Sequence, residues 1–180
     1  MKKELALHIF TAIILLIPIF FLRYFTNSTG LSGWPFFVGG LIGTILPDID
    51  HIIYVYYLRP YEVTSQRVMY QAQTGNIWKT WDLLSSTRSE RTNLILHTVL
   101  FQLLFLILSF LVISSSANLL GRGLVLAFLL HLLVDEIIDL RQTGNLMNWS
   151  KQIPIQLDKL QLNIYLIANF AIILIFGFIM

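Results

Sequence analysis

Residues Trp34 to Leu58 read WPFFVGGLIGTILPDIDHIIYVYYL, an apolar run interrupted by Asp48, Asp50 and His51. At about 1.5 Å of rise per residue the run is long enough for a helix to cross a bilayer core of about 30 Å. A carboxylate near the middle of such a helix costs about 3 kcal/mol even on the lenient insertion scale, so Asp48 and Asp50 need a partner. Pro47 removes a backbone N–H just before them, and Gly39, Gly40 and Gly43 let another helix come close. Irregular backbone at membrane depth is tolerated only where protein or a wet cavity surrounds it. The stretch therefore predicts a broken helix at Pro47 beside a pocket.

Outward from this segment the chain repeats the pattern. Leu5 to Leu22, Leu94 to Ile113, Leu119 to Leu140 and Leu160 to Met180 are also long apolar runs. Of the 180 residues 56% are hydrophobic and 12% charged, against roughly 25% charged in soluble domains. The expected fold is all-α: a polytopic membrane helix bundle of about five spans, one transmembrane domain over residues 1–180. The first run follows Lys2 and Lys3, yet Arg23, Tyr24, Phe25 and Thr26 offer no small-residue cleavage site, so it reads as a retained helix. The connections are a polar turn near Thr26 to Gly33, a long loop from Arg59 to Asn93, a turn at Ser114 to Ser116 and a loop from Arg141 to Lys159.

With the N-terminus inside, Lys2, Lys3, Arg59, Arg67, Lys79, Arg88, Arg91, Arg141, Lys151 and Lys159 fall on the cytoplasmic side, leaving Arg23 and Arg122 opposite. That imbalance predicts an N-in topology with loop 59–93 in the cytoplasm and Trp78 and Trp81 at headgroup level. The absence of cysteine excludes disulfides, zinc–thiolate sites and cysteine nucleophiles. A net charge of +2 without a basic run does not suggest nucleic acid.

On this topology four helices each deliver a histidine to the cytoplasmic half: His8, His51, His97 and His131. Asp48 and His51 are three apart, and His131 and Asp135 four apart, so each pair shares a helix face. Alone, an interfacial histidine is more often a headgroup neighbour than a ligand; four at one depth with carboxylates predict a divalent metal on His8, Asp48, His51, His97, His131 and Asp135 in some subset. Nitrogen and oxygen donors without sulfur suit zinc by default, with manganese or iron as alternatives. Asp50 or Glu136 is the expected general base, although Glu136 lies about 100° of helix rotation from Asp135, and Asp139 reads as a snorkelling structural residue. Arg88 and Arg91 are the expected phosphate holders.

The motif Leu46, Pro47, Asp48, Ile49, Asp50, His51 resembles the hallmark of the bacterial inner-membrane metal-dependent hydrolases of the YdjM type. The likeness extends in the same order to His8, to His97 followed by Thr98, and to His131 with Asp135, over nearly the whole chain. The family's further His-Arg pair has no histidine counterpart here, which leaves the number of metals open. That family is in turn distantly similar to zinc-dependent phospholipase C and P1-type nucleases. The resemblance implies a multi-pass inner-membrane location and hydrolysis of a phosphoester, with a membrane lipid or lipid-linked substrate the economical expectation. Two rivals from other classes are a metal-ion or proton transporter and a haem-binding membrane protein. A relay should continue to the outer face, where the spans are bare of ionisable groups, and haem has no need of Asp48 and Asp135.

Overall fold

The computed structural model describes residues 2–26, 33–115, 118–153 and 157–180, and among these the chain is helical without a strand. The expected turn near Thr26 to Gly33 and the end of the turn at Ser116 lie almost wholly outside the described residues.

Helix α1 spans Lys2–Thr26 and α2 spans Trp34–Ile45. Pro35 sits in the first turn of α2, where its missing N–H costs nothing. The α-helical ladder stops at Ile45; Leu46–Asp48 form a 3-10 turn, α3 covers Ile49–Ile53, and a π turn over Tyr54–Leu58 completes the segment. The break coincides with Pro47, and it turns Asp50 and His51 into the protein, where both are buried.

Residues 59–93 are more than a loop. They hold α4 (Val63–Gln73) and α5 (Ile77–Ser86), then a 3-10 turn at Arg88–Glu90. Asn76 starts α5 by accepting a hydrogen bond from the Lys79 N–H, a local cap that the charge pattern of the stretch conceals. α6 runs Val99–Ser115 and so begins later than the apolar run at Leu94 suggests. The reason is tertiary: the N–H groups of Ile95, Leu96 and His97 are taken by the Asp50 carboxylate and that of Val99 by the Trp149 carbonyl. α7 (Leu119–Thr143) ends on Gly144, whose φ of 76° is the left-handed conformation that closes a helix cheaply only at glycine. α8 (Lys159–Ile179) opens with a capping box between Asp158 and Gln161.

Among the described residues three segments are long and apolar enough to cross a membrane: Leu5–Leu22, Trp34–Leu58 and Lys159–Ile179. α6 is apolar but has only 17 residues, and α7 carries Arg122, Asp135, Glu136 and Asp139. Large apolar side chains such as Phe10, Ile14, Leu104, Ile107, Ile164 and Ile167 are exposed on the outside of the helices, consistent with membrane association.

α7 is the buried axis, continuously enclosed from Val125 to Glu136. α2 lies against it backbone to backbone. A Cβ on Gly39 would come within 1.9 Å of the Leu120 carbonyl oxygen, one on Gly43 within 2.1 Å of that of Leu124, and one on Gly123 within 2.0 Å of that of Phe36. Small residues on both helices permit this approach, which sets the Thr44 carbonyl against the middle of α7.

Candidate metal centre

Asp135 is fully buried and stands at the meeting point of three imidazoles. His8 from α1 puts Nε2 3.0 Å from Asp135 Oδ1; His97, just before α6, puts Nε2 3.0 Å from Oδ2; and His131, one turn back on α7, puts Nε2 3.1 Å from Oδ2. The rings of His8 and His131 stack with centroids 4.0 Å apart and planes 7° from parallel, so both present the same edge to the carboxylate. His8, His131 and Asp135 each offer one ligand atom within 4.8 Å of the others, a group that could hold a metal ion.

Two of the imidazoles are oriented by their other nitrogen. His131 Nδ1 lies 2.6 Å from the Thr44 carbonyl, which can only accept, so Nδ1 carries the proton and Nε2 of the neutral ring carries a lone pair. His97 Nδ1 lies 3.1 Å from Asp50 Oδ2, and that carboxylate is itself held by the N–H groups of Ile95 (3.1 Å), Leu96 (2.6 Å) and His97 (3.3 Å). An imidazole tied at Nδ1 to a carbonyl or carboxylate, with Nε2 aimed at the centre, is the arrangement that orients metal-ligating histidines.

Cationic side chains close the cluster. Arg88 donates from Nη1 to Asp135 Oδ1 at 2.6 Å and places Nε 3.3 Å from Asp139 Oδ1. Burial alone would lower the pKa of Arg88, but the paired carboxylates of Asp135 and Asp139 hold it above its ordinary value. Arg91 donates to His51 Nδ1 at 3.1 Å, to Thr87 Oγ1 at 2.9 Å and to the Leu84 carbonyl. Its burial, with Arg88 close by, brings its pKa down to about 10. Asp139 also accepts from Trp149 Nε1 at 2.7 Å, and the Trp149 ring lies edge-on to His97.

The expected site residues divide into three groups. His8, His97, His131 and Asp135 converge, and Asp48 stands beside them with Oδ1 3.7 Å from His131 Nε2. Arg88 and Arg91 line, with His8, Asp48 and His51, a cavity of about 40 Å³, room for an ion and water. His51 borders the cluster without joining it, because its Nδ1 lone pair already accepts from Arg91.

Asp50 and Glu136, expected as general bases, are placed otherwise. Asp50 is completely buried and occupied by backbone N–H groups and His97. Glu136 turns to another side of α7, facing α6 and α8, where it accepts from Tyr165 Oη at 2.6 Å and Gln102 Nε2 at 3.3 Å. Sequence reasoning missed Thr44, Trp149 and the role of Asp139. Only Asp139 carried a local signal: it is four residues beyond Asp135 on the same face of α7.

With the histidines neutral, Asp48, Asp50, Asp135 and Asp139 outweigh Arg88 and Arg91 by two negative charges, the amount one divalent cation balances. His131 Nε2 is buried and makes no hydrogen bond, although a carboxylate oxygen lies beside it. A lone pair facing a carboxylate is unfavourable unless a cation lies between them, so the donor set fits a metal. The chain matches no known protein family, curated protein or solved structure, and the resemblance rests on Leu46 to His51 together with His8, His97, Thr98, His131 and Asp135 alone.

Proposed function

We propose that this chain is a membrane-embedded metal-dependent hydrolase that cleaves a phosphoester of a lipid or lipid-linked substrate at the cytoplasmic leaflet. The observation that carries this reading is the convergence of three Nε2 atoms on the buried Asp135 carboxylate, one of them, on His131, without a hydrogen bond. His8, His131 and Asp135 would hold the ion, with His97 and Asp48 next to it, and zinc is the default for such donors. A bound ion would supply Lewis-acid polarisation of a phosphoryl oxygen and a water of lowered pKa.

The chain's own residues do the rest. Asp48 is the partly exposed carboxylate that borders the cavity, so it takes the general-base role first expected of Asp50 or Glu136. Arg88 and Arg91 turn guanidinium groups toward the same cavity and hold phosphate there. Thr44 and Asp50 keep His131 and His97 in the orientation that ligands need.

In this reading α6 and α7 join the three apolar segments to make five spans, α7 being shielded from lipid by the others. A transporter is disfavoured because residues 9–22, 34–47, 98–121 and 123–130 contain no carboxylate, lysine, arginine or histidine to extend a relay outward. The test is metal analysis of the purified protein beside Asp48→Ala and His131→Ala, with turnover of a phosphoester. Bound metal in the unmodified protein and its loss in His131→Ala is the expected result; equal, near-zero metal in all three overturns the proposal.

A further inference from the structure

A second cavity lies one helical turn from the first. Between α1 and α2 runs an apolar groove of about 380 Å³, walled by Ile9, Ile13 and Phe20 on one side and Phe37 and Leu41 on the other. Gly40 forms its floor: a Cβ there would come within 2.5 Å of Leu16 Cδ1, so any larger residue would fill the narrowest point. Thr44, at the inner end, is its one polar residue, and the hydroxyl of Thr44 is turned back to the Gly40 carbonyl at 2.8 Å.

The groove and the polar cavity lie end to end on the same two helix faces. On α1, Leu5 lines the cavity and Ile9 the groove, with His8 between them; on the α2 side, Asp48 lines the cavity and Thr44 the groove. Each pair is four residues apart, about 6 Å along a helix, so one extended ligand can occupy both. Ile9 to Phe21 measures about 18 Å along α1. A groove of this length and volume is too slender for a helix of about 10 Å diameter and suits one extended alkyl chain. Its outer walls, Ile13 and Leu41, are half exposed on segments apolar enough to sit in hydrocarbon, so the medium facing it is lipid.

We propose that this groove is an acyl-chain site: it holds one chain of a bilayer phospholipid with the headgroup at the polar cavity. The part concerning headgroup and metal rests on the hydrolase reading; chain binding does not. A lipid held this way presents its phosphate to Arg88, Arg91 and the Asp135 cluster from within the membrane, without leaving the bilayer.

The test uses the full chain in phosphatidylethanolamine–phosphatidylglycerol nanodiscs containing a phospholipid with a diazirine at the end of one acyl chain. Photolabelling mapped by peptide mass spectrometry is expected on Ile13, Ile17, Phe21 and Leu41, roughly tenfold above Leu104 and Ile164 on α6 and α8, the ratio that about 1.4 kcal/mol of preference sets. Ile13→Trp combined with Leu41→Trp, both at half-exposed positions, should bring labelling down to the α6 and α8 level while metal content stays unchanged. Labelling spread evenly over all lipid-facing helices overturns the acyl-chain site. Absence of metal in the same preparations overturns the hydrolase reading and leaves the groove result to stand by itself.

Discussion

The imidazole of His131 donates from Nδ1 to the Thr44 carbonyl across 2.6 Å, so a backbone atom of α2 decides which nitrogen of an α7 side chain is left for a ligand. That link exists because Gly43, the residue before Thr44, lets the two helices touch through their backbones.

Gly43→Ala should therefore damage the site from a distance. The new Cβ would meet the Leu124 carbonyl oxygen at 2.1 Å, and separating the helices should cost about 1–3 kcal/mol of stability and weaken metal binding. Thermal unfolding and metal titration in detergent measure both. Gly121→Ala, with only Val112 Cγ1 at 3.4 Å, should leave metal affinity as it was.

Asp50 and the metal ligands can be told apart by stoichiometry. Asp50→Asn removes the charged acceptor behind His97, so affinity should fall by about 10- to 100-fold while saturating metal still fills the site. His51→Gln should also keep full stoichiometry, since Arg91 already engages that ring. Asp135→Asn should bind no ion at any concentration tested. Empty Asp50→Asn protein at saturating metal would instead make Asp50 a ligand.

The network of Glu136, Gln102 and Tyr165 lies away from the cluster and should behave as packing. Glu136→Gln is expected to hydrolyse phosphoester at the rate of the unmodified protein. Tyr165→Phe removes the one hydroxyl proton that Glu136 and Gln102 share and leaves a buried acceptor short of a donor, so a loss of about 1–3 kcal/mol in stability with unchanged metal content is expected. A hundredfold fall in turnover for Glu136→Gln, with metal retained, would restore it as the base.

Arg88 and a metal ion both bear on Asp135. Arg88→Ala strands a buried carboxylate, which should cost the metal-free protein about 3–5 kcal/mol. Added zinc should then raise the unfolding temperature of Arg88→Ala more than that of the unmodified protein. Arg88→Lys should not rescue either property, because one ammonium group cannot reach Asp135 and Asp139 with the planar fork that Arg88 uses.

Several parts of the site were legible along the chain. His131 and Asp135 announce a shared face by their spacing of four, and Asp48, Asp50 and His51 announce a pocket because carboxylates are costly among apolar neighbours. The distinction between Asp48, which faces the cavity, and Asp50, which is sealed behind His97, was not legible: two residues on a short irregular segment differ by a rotation that Pro47 and the 3-10 turn around it decide. The late start of α6 was equally hidden, since Leu94 to Thr98 is apolar enough to extend a helix until the Asp50 carboxylate takes its N–H groups.

By itself the sequence determined an all-helical chain with apolar segments fit for a membrane, the break at Pro47, and the set of histidines and carboxylates from which a centre could be built, because hydropathy, helical periodicity and the missing N–H of proline act locally. Tertiary structure alone decided that Asp135 is the hub, that Thr44 and Asp50 orient His131 and His97, that His51 and Glu136 stand aside, and that the α1–α2 groove lies one helical turn from the polar cavity. Those outcomes turn on hydrogen-bond partners contributed by distant residues such as Thr44 and His131, and on which helix the glycines of α2 meet, Leu120 and Leu124 of α7, and neither the partners nor the partner helix can be read from spacing.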